Sequence, residues 1–128
     1  YMKTEAGARQ ARLTHAVRHE IAERFLEVAV AQNFSLRILS IQNAGQIPNY
    51  EASMTKMFIS ESNQKLAQTG TRAFGLYSNI WDATDERAPA KAAFTRSYVL
   101  TIADTIEGGT SEIQRNIIAT RGLGLPRD

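Results

Sequence analysis

Apolar residues return every three or four positions through the first third of the chain. Leu13, Val17, Ile21, Phe25 and Val28, then Leu36 and Leu39, fall on one stripe, with Arg18, Glu23, Arg24 and Glu27 between them. That period predicts one long amphipathic helix over residues 8–44. Gly45 ends it, and Pro48 three residues later prevents a restart. Asn49 caps a second helix over 50–74, with Glu51 favourable in its first turn. Met54, Phe58, Leu66 and Ala73 form its apolar stripe, and Gly75 closes it. The short connection makes the two helices antiparallel neighbours.

Residues 76–88 lack a clean period and carry Asp82, Asp85 and Glu86, which reads as a loop with one turn of helix. Pro89 suits the first position of a third helix, 89–104, whose stripe is Phe94, Tyr98 and Ile102. A last helix, 111–121, turns Ile113, Ile117 and Ile118 inward and ends at Gly122 and Gly124. No alternating strand pattern, internal repeat or low-complexity stretch interrupts this order. The expected fold is all-α, an up-and-down helical bundle.

At 128 residues the chain is one domain at most. Its 43% apolar and 22% charged residues are ordinary for a soluble globular protein. A net charge of +2 without any Lys/Arg run argues against a nucleic-acid partner. The lack of cysteine removes disulfides, thiolate catalysis and cysteine-based metal sites, and fits a cytoplasmic protein. No apolar run approaches the roughly 18 residues of a membrane span, and no signal-peptide pattern precedes the first helix.

The densest chemistry lies between Ile106 and Gln114. A lone carboxylate, Glu107, precedes Gly108 and Gly109, and a helix follows at once. Two glycines let the backbone take φ > 0 or approach a ligand closely. Ser111 and Gln114 fit an S-x-x-Q capping box. The free N–H groups of that first turn and the helix dipole favour an anion such as a phosphate or pyrophosphate.

Other constellations are blander. His15 and His19 stand four apart, but Ala16 replaces the glutamate of a zinc-protease pattern and a third ligand is missing, so they read as partly solvated polar residues. No Ser, His and Asp follow a triad order. Tyr77 and Trp81 either pack the loop onto the bundle or stack on an aromatic cofactor ring. Arg9, Arg12, Arg18 and Arg24 form a solvated face interleaved with acids, or a salt-bridged subunit contact.

The string G-G-T-S-E-I-Q-R-N-I-I-A from Gly108 to Ala119, closed by R-G-L-G-L-P-R from Arg121 to Arg127, resembles the C-terminal signature of the acyl-CoA dehydrogenases. Its form is similar to bacterial, notably actinobacterial, members. The resemblance implies a flavoenzyme of lipid metabolism and fatty-acid β-oxidation that desaturates an acyl-CoA thioester. It implies FAD near a subunit interface in a dimer of dimers, and an electron-transfer flavoprotein or similar acceptor as partner. Family members carry an N-terminal helical domain, a middle β-domain and a C-terminal bundle. This chain matches the later part of that bundle, and Tyr1-Met2-Lys3 reads as the interior of a longer chain. Without the bundle's first long helix an apolar face is left open, to be covered by that segment or by a homo- or hetero-oligomeric partner.

The resemblance also assigns residues. Thr110 stands where the family threonine contacts FAD, Ser111 caps the helix, Glu112 is at another FAD-contacting position, and Gly109 shares that edge. A second family motif, Gln-x-x-Gly-Gly, meets the adenosine side from across the interface. The stretch here is Arg72-Ala73-Phe74-Gly75-Leu76, so Gly75 matches while Arg72 and Leu76 replace the glutamine and the second glycine. A guanidinium still suits a phosphate.

In the family a glutamate removes the α-proton while a hydride leaves the β-carbon for the flavin. Burial beside the substrate raises such a carboxyl's pKa toward neutrality and makes it an effective base. A backbone N–H of the same turn holds the thioester carbonyl, which puts Gly108 at the substrate. Aligned without a gap, Gly108 occupies the glutamate position and Glu107 lies one residue earlier. The base is therefore either Glu107, with the diglycine absorbing the slip, or a residue of the preceding long helix. Two other readings stay open: a catalytically degenerate subunit of a heteromeric enzyme, and a non-enzymatic helical interaction module.

Overall fold

The first helix starts where Thr14 can cap it. The structure, a computed structural model, describes residues 11–127. In it α1 spans His15–Asn43 and Thr14 Oγ1 accepts the Val17 N–H at 3.3 Å. The pattern placed this start at residue 8. Residues 8–10 and Arg9 lie outside the described residues, and Ala11–Leu13 are not helical. The Arg12 N–H is committed elsewhere, to the Ala73 carbonyl at 2.6 Å. At the other end the Gly45 N–H reaches Gln42 O (2.9 Å) and the Gln46 N–H reaches Ile41 O (3.1 Å). That pair of bonds is a Schellman stop, as Gly45 foretold.

α2 spans Tyr50–Phe74 and is the helix on which the others pack. Asn49 occupies its N-cap position but its side chain makes no capping bond, contrary to expectation. Its Oδ1 accepts instead from Arg121 Nη1 at 3.1 Å, which ties the tail of the chain to the start of α2. α1 and α2 run antiparallel: Glu20 meets Arg72, Glu27 meets Lys65, Phe34 meets Phe58 edge-on at 5.3 Å, and Arg37 meets Glu51.

The contact face of α2 is built from small residues with one large exception, Phe74. Ser53, Ser60, Ala67 and Phe74 recur every seven positions and are buried, joined by Thr69, Gly70 and Ala73. Small side chains let neighbouring helices approach closely. Gly70 shows this most sharply, because a Cβ there would fall within the Phe94 ring. Leu66, expected inward, is exposed. The buried cluster is Val17, Ala73 and Phe74, with Ala11, Leu13, Ile21 and Phe94 packed against it.

After a 3₁₀ turn at Gly75–Asn79, the chain reaches a second, Pro89–Ala92, before α3 (Ala93–Asp104) begins. Pro89 thus opens this turn rather than the helix. The turn is left-handed, with Ala90, Lys91 and Ala92 at φ 49, 55 and 59. Such a run costs about 1–2 kcal/mol per residue, and burial of Ala88, Pro89 and Ala92 holds it in place. Phe94 of α3 stacks on Phe74 at 5.7 Å, whereas Tyr98 and Ile102 are exposed and Thr101 is buried instead.

α4 spans Ser111–Ile117 and continues as a π turn, Ile118–Gly122. Ser111 and Gln114 are its buried residues, Ile117 and Ile118 are half-buried, and Ile113 faces out. Of the described residues 74% are helical, and no strand occurs among them. The all-α expectation holds.

Among the described residues, nothing buries the rear of α1. Phe25 is 74% exposed, and Leu26, Val28, Leu36 and Leu39 also lie open. The side of α1 that meets α2 is instead the row of Arg24, Glu27, Ala31, Phe34, Ile38 and Ile41, all half-buried. Arg24 Nε and Glu27 Oε2 pair at 2.7 Å within this row. A helix apolar on both faces is made to be enclosed. With one face against α2, the predicted stripe divides: Leu13, Val17 and Ile21 pack in the core, whereas Phe25, Val28, Leu36 and Leu39 lie on a face that no described residue buries.

Candidate functional site

The turn between α3 and α4 gathers six of the sequence-assigned residues in consecutive positions. Asp104 ends α3, Glu107 hangs from the following turn with its N–H on Ala103 O at 2.9 Å, and its side chain is exposed. Gly108 and Gly109 then take φ 65 and 97, values that a Cβ would strain. The diglycine therefore reverses the chain sharply enough for α4 to begin two residues later.

Thr110, not Ser111, is the cap of α4. Its backbone is extended, and its Oγ1 accepts the Ile113 N–H at 3.4 Å. Ser111 is already the first helical residue and is buried. The capping-box reading falls one residue late because adjacent Thr and Ser are both able caps, and the tertiary path of the turn uses Thr110. Gln114 does not complete such a box either. Its Nε2 donates to Gly108 O at 2.9 Å and Gly109 O at 3.4 Å.

A residue that the sequence reading passed over completes the turn. Lys56 of α2 is half-buried, and its Nζ donates to Asp104 O at 3.1 Å and Gly109 O at 2.7 Å. The only hint was a lone lysine between Met54 and Met57–Phe58 on a half-buried face.

These bonds fix peptide directions. All peptides of the described chain are trans, so each N–H points opposite to the carbonyl of its own peptide. With Gly108 O and Gly109 O drawn inward, the Gly109 and Thr110 N–H groups point away from Lys56 and Gln114. Neither they nor the Gly108 N–H donates to any described residue. Glu112 reaches back to the same turn. Its own N–H first, and then the Thr110 hydroxyl, hold its carboxyl below the usual range. The first turn of α4 thus carries a built-in anion.

Arg72 and Gly75 lie elsewhere. Arg72 is sixteen residues beyond Lys56 on α2, about 24 Å along the axis. Its Nη1 donates to Glu20 Oε1 at 2.9 Å, and its side chain is 61% exposed. Gly75 adopts φ 53 at the end of the helix. A groove beside Arg72 is lined by Gln68, Asn79, Trp81 and Tyr98. Trp81 is half-exposed and Arg96 lies 5.8 Å over its ring, so the indole faces this groove rather than the bundle core. One chain brings together Glu107 to Glu112 but not these with Arg72 and Gly75.

His19 Nε2 lies 3.3 Å from Glu23. No group of three His, Asp or Glu side chains among the described residues is placed to hold a metal ion. Among the described residues no helix is long and apolar enough to cross a membrane.

Residues 2–123 match the family model "Acyl-CoA dehydrogenase, C-terminal domain". A stretch of 33 residues, 26% of this chain, is 70% identical to acyl-CoA dehydrogenase IpdE1 of Mycobacterium tuberculosis, covering 9% of that protein. The same enzyme of Mycolicibacterium smegmatis is 67% identical over 33 residues, 8% of its length. Among solved structures, the Tcur3481-Tcur3483 steroid ACAD superposes with a TM-score of 0.83 at 22% identity, over 91% of this chain and 30% of that one. The chain spans well under half the length of these proteins.

Proposed function

This chain belongs to the acyl-CoA dehydrogenase family, and on that premise we propose that it is the C-terminal domain of an FAD-dependent enzyme that desaturates an acyl-CoA thioester. The turn at Glu107–Thr110 is the substrate edge. The observation that carries this reading is the set of outward N–H groups at Gly109 and Thr110 beside an exposed carboxylate, Glu107. Abstraction of an α-proton needs a base next to a donor that steadies the thioester carbonyl as it gains enolate character. Glu107 is the base candidate, and the turn's amides, Gly108 included, are the donors.

The residues present fit two edges of FAD. Thr110 carries a half-buried hydroxyl at this edge, Ser111 a second that is buried within the chain, and Gly109 a neutral backbone donor. Glu112 keeps its carboxylate in the first turn of α4, so that edge suits an uncharged acceptor better than a phosphate. Arg72, Gly75 and the groove with Trp81 and Tyr98 supply a cation and aromatic faces, which suit the pyrophosphate and adenosine side. When bound, FAD supplies a hydride acceptor for the β-carbon. Since the two edges lie far apart within one chain, the cofactor would be shared between chains of an oligomer, with an electron-transfer flavoprotein or similar protein as the oxidant.

The test is the full-length protein. It should carry the visible absorbance of bound flavin and oxidise acyl-CoA, whereas the 128-residue chain alone should not turn over. Glu107→Gln should nearly abolish oxidation while flavin stays bound. A full-length protein without flavin would overturn the enzyme reading, and undiminished turnover in Glu107→Gln would move the base to the chain preceding Tyr1. A second reading, the catalytically degenerate subunit of a heteromeric enzyme, is favoured by the one-residue offset of Glu107 and by Leu76 at the second motif glycine. In that case flavin and turnover appear only when a partner subunit is co-expressed.

A further inference from the structure

We propose that Lys56 is a positioning residue for the desaturation, holding the Glu107–Thr110 turn in the orientation that presents its amides to the substrate. The proposal rests on the functional reading above and adds a residue that neither the signature nor the family motifs assign. Three observations carry it.

First, Lys56 spans the loop at both ends. Asp104 is the last residue of α3 and Gly109 directly precedes the cap of α4, and one ammonium bonds both their carbonyls, at 3.1 and 2.7 Å. An ammonium has three donors on one rotatable centre, so it can serve two carbonyls that converge from different directions. The four residues between them form a loop with Glu107 near its middle. Fixing both ends fixes where that carboxylate is carried.

Second, the cation has no carboxylate partner among the described residues, although Glu20, Glu27, Glu51 and Glu61 all engage cations elsewhere. A lysine added for surface charge pairing would be placed otherwise. This one sits half-buried on the central helix and spends its donors on backbone carbonyls, with its Cε 3.8 Å from where a Cβ on Gly108 would stand.

Third, the bonds dictate peptide orientation. Gly109 O is drawn inward by Lys56 and by Gln114, and Gly108 O by Gln114. Planarity then sends the Thr110 and Gly109 N–H groups outward. Gly108 and Gly109 have no side chains to resist a peptide flip, so the flip must be opposed from outside the turn. Lys56 opposes it from α2 and Gln114 from α4.

The experiment compares wild type, Lys56→Met and Lys56→Arg in the full-length flavoprotein, by steady-state kinetics and by hydrogen exchange. Methionine keeps the unbranched apolar stem, one atom shorter, and removes every donor. The expected result is a kcat for acyl-CoA oxidation lowered about 10- to 100-fold, with KM and flavin content within about twofold of wild type. The amides of Ile106, Glu107, Ile113 and Gln114, which are bonded within or beside the turn, should exchange faster, while those at the centre of α1 keep wild-type rates. Lys56→Arg should recover part of the kcat and of the protection. A global rise in exchange would mark Lys56 as merely structural and overturn the proposal. Unchanged exchange at the turn, or unchanged kcat despite a loosened turn, would overturn it equally. If the wild type itself holds flavin but does not oxidise acyl-CoA, the functional reading fails and takes the catalytic role with it, while the exchange comparison still decides whether Lys56 holds the turn.

Discussion

Arg72 Nη1 donates to Glu20 Oε1 at 2.9 Å, and Thr69 Oγ1 donates to the other carboxylate oxygen at 3.1 Å. The last turn of α2 is thereby tied to the start of α1, and the guanidinium is held at the mouth of the groove that contains Trp81 and Tyr98. Both partners are partly solvated, so the pair's value lies in where it holds the arginine.

Arg72→Ala should cost stability no more than about 1 kcal/mol, the range of exposed ion pairs. The same change should weaken flavin retention by the full-length protein, and Glu20→Gln should weaken it less. Thermal denaturation checks the first statement and flavin release on dilution the second. A large loss of stability with unchanged flavin would make the pair structural and remove Arg72 from the cofactor edge.

Thr110 and Ser111 are separable by substitution. Thr110→Ala removes the hydroxyl that receives the Ile113 N–H and should destabilise by about 1 kcal/mol. Ser111→Ala removes no cap and should cost less. The Thr110 change should also let the Glu112 carboxyl rise toward its ordinary value, since the hydroxyl is one of the donors that depress it. A carboxyl depressed on folding contributes stability above its unfolded pKa and loses it as pH falls through the folded value. The Thr110→Ala deficit should therefore shrink in acid. Chemical denaturation at neutral and acidic pH measures this, and a deficit that grows on acidification would contradict it.

Asp85 gives a sharper acid marker. The Arg87 guanidinium, bonded to both carboxylate oxygens at 3.0 and 2.8 Å, and then the Arg87 N–H lower its pKa to about 2. The loop's contribution from this pair is present above the ordinary carboxylate range and is lost as pH falls through about 2. Carboxyl NMR titration should find Asp85 titrating there, and Arg87→Gln should return it toward about 4. An Asp85 already at the ordinary value in wild type would refute the pairing.

Gly70 is where the bundle tolerates least. A Cβ at this position would fall within the Phe94 ring. Gly70→Ala should destabilise by roughly 1–3 kcal/mol or more through overpacking, although alanine is the better helix former by about 1 kcal/mol. Gly70→Ala combined with Phe94→Ala should recover part of the loss. Denaturation midpoints for the pair test this, and a stabilised single variant would mean that α3 does not pack on α2 at Gly70.

The four helices, their order and their stops were legible because each rests on nearest neighbours in the chain: a 3.6-residue period, Gly45 as a Schellman stop, a diglycine before a helix. The string from Gly108 to Arg127 likewise carried the family, since consecutive residues in one turn stay together whatever else the fold does. Which side of α1 meets α2 was not legible. Its apolar residues cover more than one face, and only the neighbour decides which face is used. The seam of Ser53, Ser60 and Ala67 was hidden for a related reason, since small buried residues mark close approach but leave no apolar stripe. Tertiary structure alone brought Lys56 to Gly109 and kept Arg72 remote from Thr110. Those relations join residues dozens of positions apart in the chain, and a side chain's reach is set by the path of the backbone in space.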